Sequence, residues 1–241
     1  MSKNIRYNSS EIANYFSQNR IKWDELYYSE KKVFEYLKPK KNSTILDIGC
    51  GCGGLGLILK EQFEITSYLG IEINSEAAKK ATLMNDEATI INQDFLEVDL
   101  KNKFDFVISL SCIDWNIEFQ KMIKKAWLLV KDEGYLLLSL RLTKEKGVNN
   151  ISKSYQFINY QGDLSGEKAP YVVLNFNEWF QTLKNFEKLS EVYAFGYYGT
   201  PSVTAITPYK DVCFAVFSLK KQQQKGRAKL YFDLPIDIQD M

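Results

Sequence analysis

Three features of the 241-residue chain predict an α/β fold with a mostly parallel sheet covered by helices on both faces. Short apolar strands alternate with amphipathic helices from residue 44 to residue 140, the pattern of successive crossover units. A glycine-rich turn, within ILDIGCGCGGLG from Ile45 to Gly56, follows the first of these strands directly and opens a helix. With 45% hydrophobic and 25% charged residues, the chain is long enough to bury one full core.

Two helices are expected ahead of the sheet. The first starts after Ser9 or Ser10 as N-cap and runs through EIANYFSQ; the second starts near Ser29 and runs through EKKVFEYL until Pro39 blocks continuation. Strands follow at 44–48, 68–73 and 88–92, with helices near 54–62 and 75–84 between them. A fourth strand at 104–109, a helix at 118–130 and a fifth strand at 135–140 continue the alternation. In that helix Phe119, Met122, Ile123, Ala126, Trp127 and Val130 recur at three- and four-residue spacing, so this face belongs to the core. The alternation then stops from Arg141 to Phe176, longer than ordinary connections in a compact domain. This stretch reads as a functional insertion rich in Tyr155, Phe157, Tyr160 and Tyr171. A helix at 177–186 and strands at 188–198 and 211–219 close the domain. The expected organisation is a helical lid at 1–42, a core at 43–220 containing the insertion, and a tail at 221–241 with an apolar patch at Leu230, Tyr231 and Phe232.

Composition narrows the function. Lysine plus arginine number 31 against 30 aspartates plus glutamates, so there is no positive excess to grip a nucleic acid backbone. No run of about 18 apolar residues and no apolar signal core occur, so a cytoplasmic protein without a membrane segment is expected. Four cysteines with no C-x-x-C pair, in a chain without histidine, predict reduced thiols and no metal site. Without imidazole, proton transfer near neutral pH falls to a carboxylate, tyrosine, lysine, cysteine or water.

Glycines between a parallel strand and a helix let a ligand touch the main chain at the helix start. Gly49, Gly51 and Gly54 also satisfy G-x-G-x-x-G, which alone would suit a dinucleotide. The acids decide otherwise. Asp47, two residues before the first glycine, would repel a pyrophosphate but suits an ammonium group. Glu72 ends the second strand, where it can hold both hydroxyls of a ribose, and Asp94 follows the third, where it can accept from an adenine amine.

The series LDIGCGCGGLG, LGIEINSEA, INQDFLE, FDFVISLSCIDW and LVKDEGYLLLS, spanning about residues 43 to 140, resembles the successive motifs of class I S-adenosylmethionine-dependent methyltransferases. The resemblance implies a Rossmann-like seven-stranded sheet with one antiparallel strand at its edge and S-adenosylmethionine across the strand C-terminal ends. By motif it places Gly49, Gly51 and Gly53 at the methionine part with Asp47 in support. Glu72, with its neighbour Ile73, falls at the ribose, Asp94 and Phe95 at the adenine, and Ser109 and Leu110 near the methyl group.

Motifs of nucleobase and protein-arginine methyltransferases are missing, which leaves a small-molecule acceptor. The run R-x-x-W-x-x-L-Y-x-S-E from Arg20 to Glu30 is similar to methyltransferases encoded with bacterial capsule and lipopolysaccharide genes, and suggests O-methylation of a sugar or nucleotide-linked sugar. Another small metabolite, methylated on oxygen or nitrogen, and a cofactor-binding partner that activates a second subunit remain open, as does a homodimer. Trp23, Tyr27, Tyr28, Trp115 and Arg141 are the expected acceptor contacts; Arg141 and nearby lysines would suit a ring bearing a phosphate or carboxylate. Asp114 is the candidate base, against the reading that it caps a helix beginning near Asn116.

Overall fold

Strands apolar on both faces are stable only between two helical layers, and here they assemble into one central sheet. The computed structural model describes residues 10–159, 161–224 and 226–239; Ser9 and Tyr160 lie outside the described residues. The strands are β1 (Thr44–Ile48), β2 (Ser67–Glu72), β3 (Thr89–Asn92), β4 (Phe104–Ser109), β5 (Val130–Thr143), β6 (Tyr155–Ile158), β7 (Glu167–Pro170), β8 (Leu174–Asn175), β9 (Leu189–Gly199), β10 (Ala205–Ile206), β11 (Val212–Lys221) and β12 (Lys229–Asp233). The helices are α1 (Ser10–Phe16), α2 (Tyr28–Leu37), α3 (Gly54–Phe63), α4 (Ser75–Met84), α5 (Phe119–Leu128), α6 (Phe176–Leu183) and α7 (Ile236–Gln239).

The main sheet runs β12-β9-β11-β5-β4-β1-β2-β3, with β8 added beside β5. All its pairings are parallel except those of β11 with β5 and β9. The expected antiparallel strand therefore exists but lies inside the sheet, between two strands parallel to each other, and not at the edge. That place follows from the return of the chain: after the connection 200–211, which carries β10, β11 forms a long antiparallel ladder with β9 from Val212↔Gly199 to Lys220↔Glu191. The edge belongs to the tail, where Lys229–Asp233 pairs in parallel with β9 and Phe232 packs its ring on Phe176, Phe180 and Phe217. What reads as an appended segment is an eighth strand sealing an aromatic cluster.

Each face has its own core. One is built on Leu46, Val107, Leu136 and Leu138 with Met122, Ile123, Ala126 and Trp127 of α5, the face predicted from spacing. The other sets Ile45, Phe106 and Leu137 against Val33 and Phe34 of α2 and Ile58 and Leu59 of α3. Val130 is the exception to the helix prediction, since α5 ends at Leu128 and Val130 opens β5.

The insertion also has more structure than its sequence shows. Arg141 still belongs to β5, and the chain then builds a small antiparallel sheet, β10-β6-β7, together with β8. This cap contributes Gln156, Phe157 and Asn159 to a cavity of about 820 Å³ whose other walls come from α1 and the C-terminal ends of the parallel strands.

Candidate active site

Between β1 and α3 the backbone reverses through three left-handed positions, Gly49, Gly51 and Gly53, with φ of 73°, 56° and 81°. The backbone nitrogens of Gly49 and Cys50 both donate to the Ile71 carbonyl, at 2.8 and 3.1 Å, which holds the turn against β2. The three glycines differ in what surrounds them. A methyl group on Gly49 would sit 2.3 Å from Cys112 Sγ and one on Gly53 2.4 Å from Asn85 Nδ2, whereas at Gly51 nothing among the described residues lies within 4 Å. Gly51 lines the cavity, so its bare backbone faces the space a ligand takes.

Around this turn stand the three acids, all buried. Asp47 accepts a 2.5 Å hydrogen bond from the Tyr68 hydroxyl. Burial nevertheless pushes its carboxyl up to about 7, the Tyr68 bond opposing and the charge of Glu72 adding to the shift. Glu72 accepts from the backbone nitrogens of Gly51 at 2.9 Å and Asn74 at 2.8 Å, and burial raises its carboxyl as well. It fixes the glycine turn while lining the cavity. Asp94 accepts from Leu96 N at 2.9 Å, and Ile73 and Phe95 line the same wall. Carboxylates along one side of the cavity fit a cationic amino acid joined to a nucleoside, and the open Gly51 position admits its backbone-hugging part.

Beyond β4 the expectations separate. Leu110 lines the cavity, but Ser109 is fully buried and is not part of its lining; Ser111, at φ 52°, takes that place. Ser111 N donates to Ser139 Oγ at 2.6 Å, and its own hydroxyl accepts from Arg20 Nη1 at 3.1 Å. Arg20 also forks onto both oxygens of Glu30, at 2.5 and 2.7 Å, and stacks over Tyr27. Glu30 is only 1% exposed. The two ends of the Arg20–Glu30 run thus clasp each other and moor the N-terminal segment to the end of β4.

Of the expected acceptor contacts, Tyr27, Trp115 and Arg141 line the cavity. Trp23 and Tyr28 are not among its lining residues: Trp23 packs on Phe34 and Phe63 in the core, and Tyr28 lies edge-on to Phe195. Asp114 lines the cavity from within a 3-10 turn, Ile113–Trp115, and does not cap α5. That helix begins at Phe119, and Asn116 Oδ1 accepts from Glu118 N at 2.7 Å. Asp114 Oδ2 is instead paired with Arg141 Nη2 at 3.2 Å, both side chains buried. Burial raises the Asp114 carboxyl against the opposing pull of Arg141, which makes it a better proton acceptor than an exposed aspartate. Arg141 is also clamped between rings, 3.8 Å from the centroid of Tyr171 and 5.1 Å from that of Trp115.

A glycine turn, three strand-end acids and a capped cavity on a Rossmann-like sheet make up the architecture of a methyltransferase domain. The chain belongs to the methyltransferase-domain family, whose model matches residues 39–189. It is similar to a putative methyltransferase, 235L, of Invertebrate iridescent virus 6, with 28% identity over 159 residues covering 57% of this chain and 58% of the viral protein. It is also similar to N-methyltransferase 4 of Papaver somniferum, with 27% identity over 140 residues, 55% of this chain and 39% of that one. The chain spans about half the length of the curated relatives it matches. Among solved structures, phosphoethanolamine N-methyltransferase 2 of Haemonchus contortus in complex with S-adenosyl-L-methionine superposes with a TM-score of 0.59 at 15% identity, over 83% of this chain and 53% of that one. The YcgJ protein of Bacillus subtilis superposes with a TM-score of 0.57 at 12% identity, over 82% and 99%. At these identities the superpositions speak for the fold alone.

Proposed function

We propose that this protein methylates a hydroxyl group of a small-molecule acceptor, a sugar, using S-adenosylmethionine. The observation that carries the reading is the continuity of one cavity of about 820 Å³ from Asp47, Glu72 and Asp94 to Asp114, Trp115 and Arg141. Sites for one drug-sized molecule range over about 300–1,000 Å³, so this cavity accommodates a nucleoside cofactor with an acceptor beside it. A partner that merely bound cofactor would have no use for the second half.

Asp47 suits the cofactor's ammonium group, Glu72 its ribose hydroxyls, Asp94 and Phe95 its adenine, and the bare backbone of Gly51 its methionine chain. Bound there, the cofactor supplies a methyl group already activated on sulfur. The chain's own residues have two tasks: to hold the acceptor oxygen in line with that methyl group and to take its proton as the new C–O bond forms. Asp114 suits the second task, because its carboxylate is buried, raised in basicity and fixed by Arg141. The bond electrons left behind stay on sulfur, so the donor leaves as a neutral thioether.

Incubation of the protein with S-adenosylmethionine and a panel of sugars, nucleotide sugars and unrelated hydroxyl and amine metabolites tests the reading by release of S-adenosylhomocysteine. Turnover of a sugar is expected. Turnover confined to amines would reject the hydroxyl assignment, and cofactor binding without turnover of any acceptor would favour an activating subunit.

A further inference from the structure

Three buried polar atoms gathered around Arg141 have no hydrogen-bond partner among the described residues: Asp114 Oδ1, Trp115 Nε1 and Tyr171 Oη. Native proteins rarely leave such atoms unpaired, because each forfeits the hydrogen bonds it would make with water. All three residues line the cavity, and the three atoms themselves are almost wholly shielded from solvent. The insertion brings Tyr171 there. Its backbone exchanges hydrogen bonds with Ser154, from Tyr171 N to Ser154 O at 3.1 Å and from Ser154 Oγ to Tyr171 O at 2.6 Å.

The cations of this cavity are already engaged. Among the described residues, Arg20 and Arg141 are the basic side chains in its lining. Arg20 is forked onto Glu30, and Arg141 pairs with Asp114 Oδ2 and donates to the Asp114 carbonyl at 2.9 Å. A phosphate or carboxylate entering here would find no uncommitted cation and would face Asp114 Oδ1, an acceptor only. An ammonium group would satisfy that carboxylate but leave the indole N–H, a donor only, without a partner. Neutral hydroxyls both donate and accept, so a pair of them complements all three atoms.

Resting on the methyltransferase reading above, we propose that Asp114, Trp115 and Tyr171 form the seat of the acceptor, and that the group seated is an uncharged vicinal diol of a sugar ring. With a small shift of the lining side chains that uncovers these atoms, one hydroxyl donates to Asp114 Oδ1 and accepts from Tyr171 Oη, and its neighbour accepts from Trp115 Nε1. Any charged part of the acceptor, such as a nucleotide, lies outside this seat. Tyr171 is then a specificity-determining residue, and Arg141 cancels the charge of Asp114 and does not grip an anion.

The test uses the full-length protein loaded with S-adenosylhomocysteine and saturation-transfer NMR, which reads weak binding. The probes are methyl α-D-glucopyranoside, methyl α-D-mannopyranoside and methyl α-L-rhamnopyranoside, set against glucose 1-phosphate, glucuronate and glucosamine. At least one neutral glycoside is expected to bind about tenfold more tightly than every charged probe. Tyr171→Phe is expected to weaken that binding about fivefold, the effect of one lost hydrogen bond, while leaving product affinity and melting temperature unchanged because the hydroxyl has no partner to lose. Tighter binding of a charged probe, no binding of any neutral glycoside, or neutral binding indifferent to Tyr171→Phe would each overturn the proposal. If S-adenosylhomocysteine itself fails to bind, the methyltransferase reading falls with it, which separates the two failures.

Discussion

On the proposed placement of the cofactor, the Asp47 carboxyl, pushed up to about 7 by burial, would make cofactor binding a proton-linked event. In the cofactor-free protein it is about half protonated at neutral pH and about nine-tenths protonated one unit lower. An ammonium group beside it favours the carboxylate, so binding below pH 7 must expel a proton. Affinity for S-adenosylmethionine should therefore rise with pH up to about 7 and then level, falling about tenfold, or ~1.4 kcal/mol, for each unit below the break. Folding stability should move the other way. A carboxyl whose folded value exceeds its unfolded value of 3.8 favours the folded state most at low pH, and that contribution is lost as pH rises through about 7. Calorimetry of cofactor binding from pH 5.5 to 8, in buffers of different ionisation enthalpy, measures the proton directly. Asp47→Asn should flatten the profile, and Tyr68→Phe should move the break upward by removing the bond that opposes the shift. An affinity independent of pH across this range, or proton release unaltered by Asp47→Asn, would refute the assignment of Asp47 to the cofactor's charged end.

Three further outcomes follow from the geometry. Gly51→Ala should cost only the strain of one left-handed residue, about 1–2 kcal/mol of folding stability, yet sharply weaken cofactor binding; Gly53→Ala, which collides with Asn85, should show mainly as lost stability in thermal unfolding. Asp114→Asn should reduce turnover about a hundredfold or more with cofactor affinity kept, and should also lower the melting temperature, because Arg141 loses its ion partner; near-normal turnover would place the base elsewhere. Arg20→Ala strands Glu30 in a buried position and should cost about 3–5 kcal/mol, less at pH 5 than at pH 8 since protonation relieves the uncompensated charge; hydrogen exchange should locate the loss in α1 and the start of α2.

That Asp47, Glu72 and Asp94, the proposed cofactor contacts, would line one cavity was legible because they are fixed by strand ends. Asp47, Glu72 and Asp94 follow from where three strands stop, and strand ends are set by local pattern. The acceptor half depends on contacts no local pattern encodes. Trp23 and Tyr27 lie four residues apart, yet one fills the core against Phe63 and the other borders the cavity, a choice made by packing between α2 and α3. Tyr171 meets Arg141 across 30 residues of chain, through a cap whose strands are short and only partly apolar. Tyr68 reaches Asp47 by register: it sits two residues before Gly70, the cross-strand partner of Asp47, and so shares its face of the sheet. The place of β11 within the sheet is likewise a matter of which partner the return strand finds.

The cap and Asp114 share more than a cavity. Val172 N donates to the Asp114 carbonyl at 3.0 Å, and the Arg141 guanidinium donates to that same carbonyl, so the cap is stitched to Asp114 through its main chain. In kinetic terms, and on the function proposed above, an excursion of the cap large enough to admit or discharge an acceptor would break this stitch and displace Asp114 as well. Chemistry and exchange would then occupy different time windows, with methyl transfer confined to the shut state and one opening in each turnover. Reclosure becomes a step that substrate concentration cannot accelerate, and a solvent-viscosity effect on kcat, absent from single-turnover methyl transfer, would be its signature.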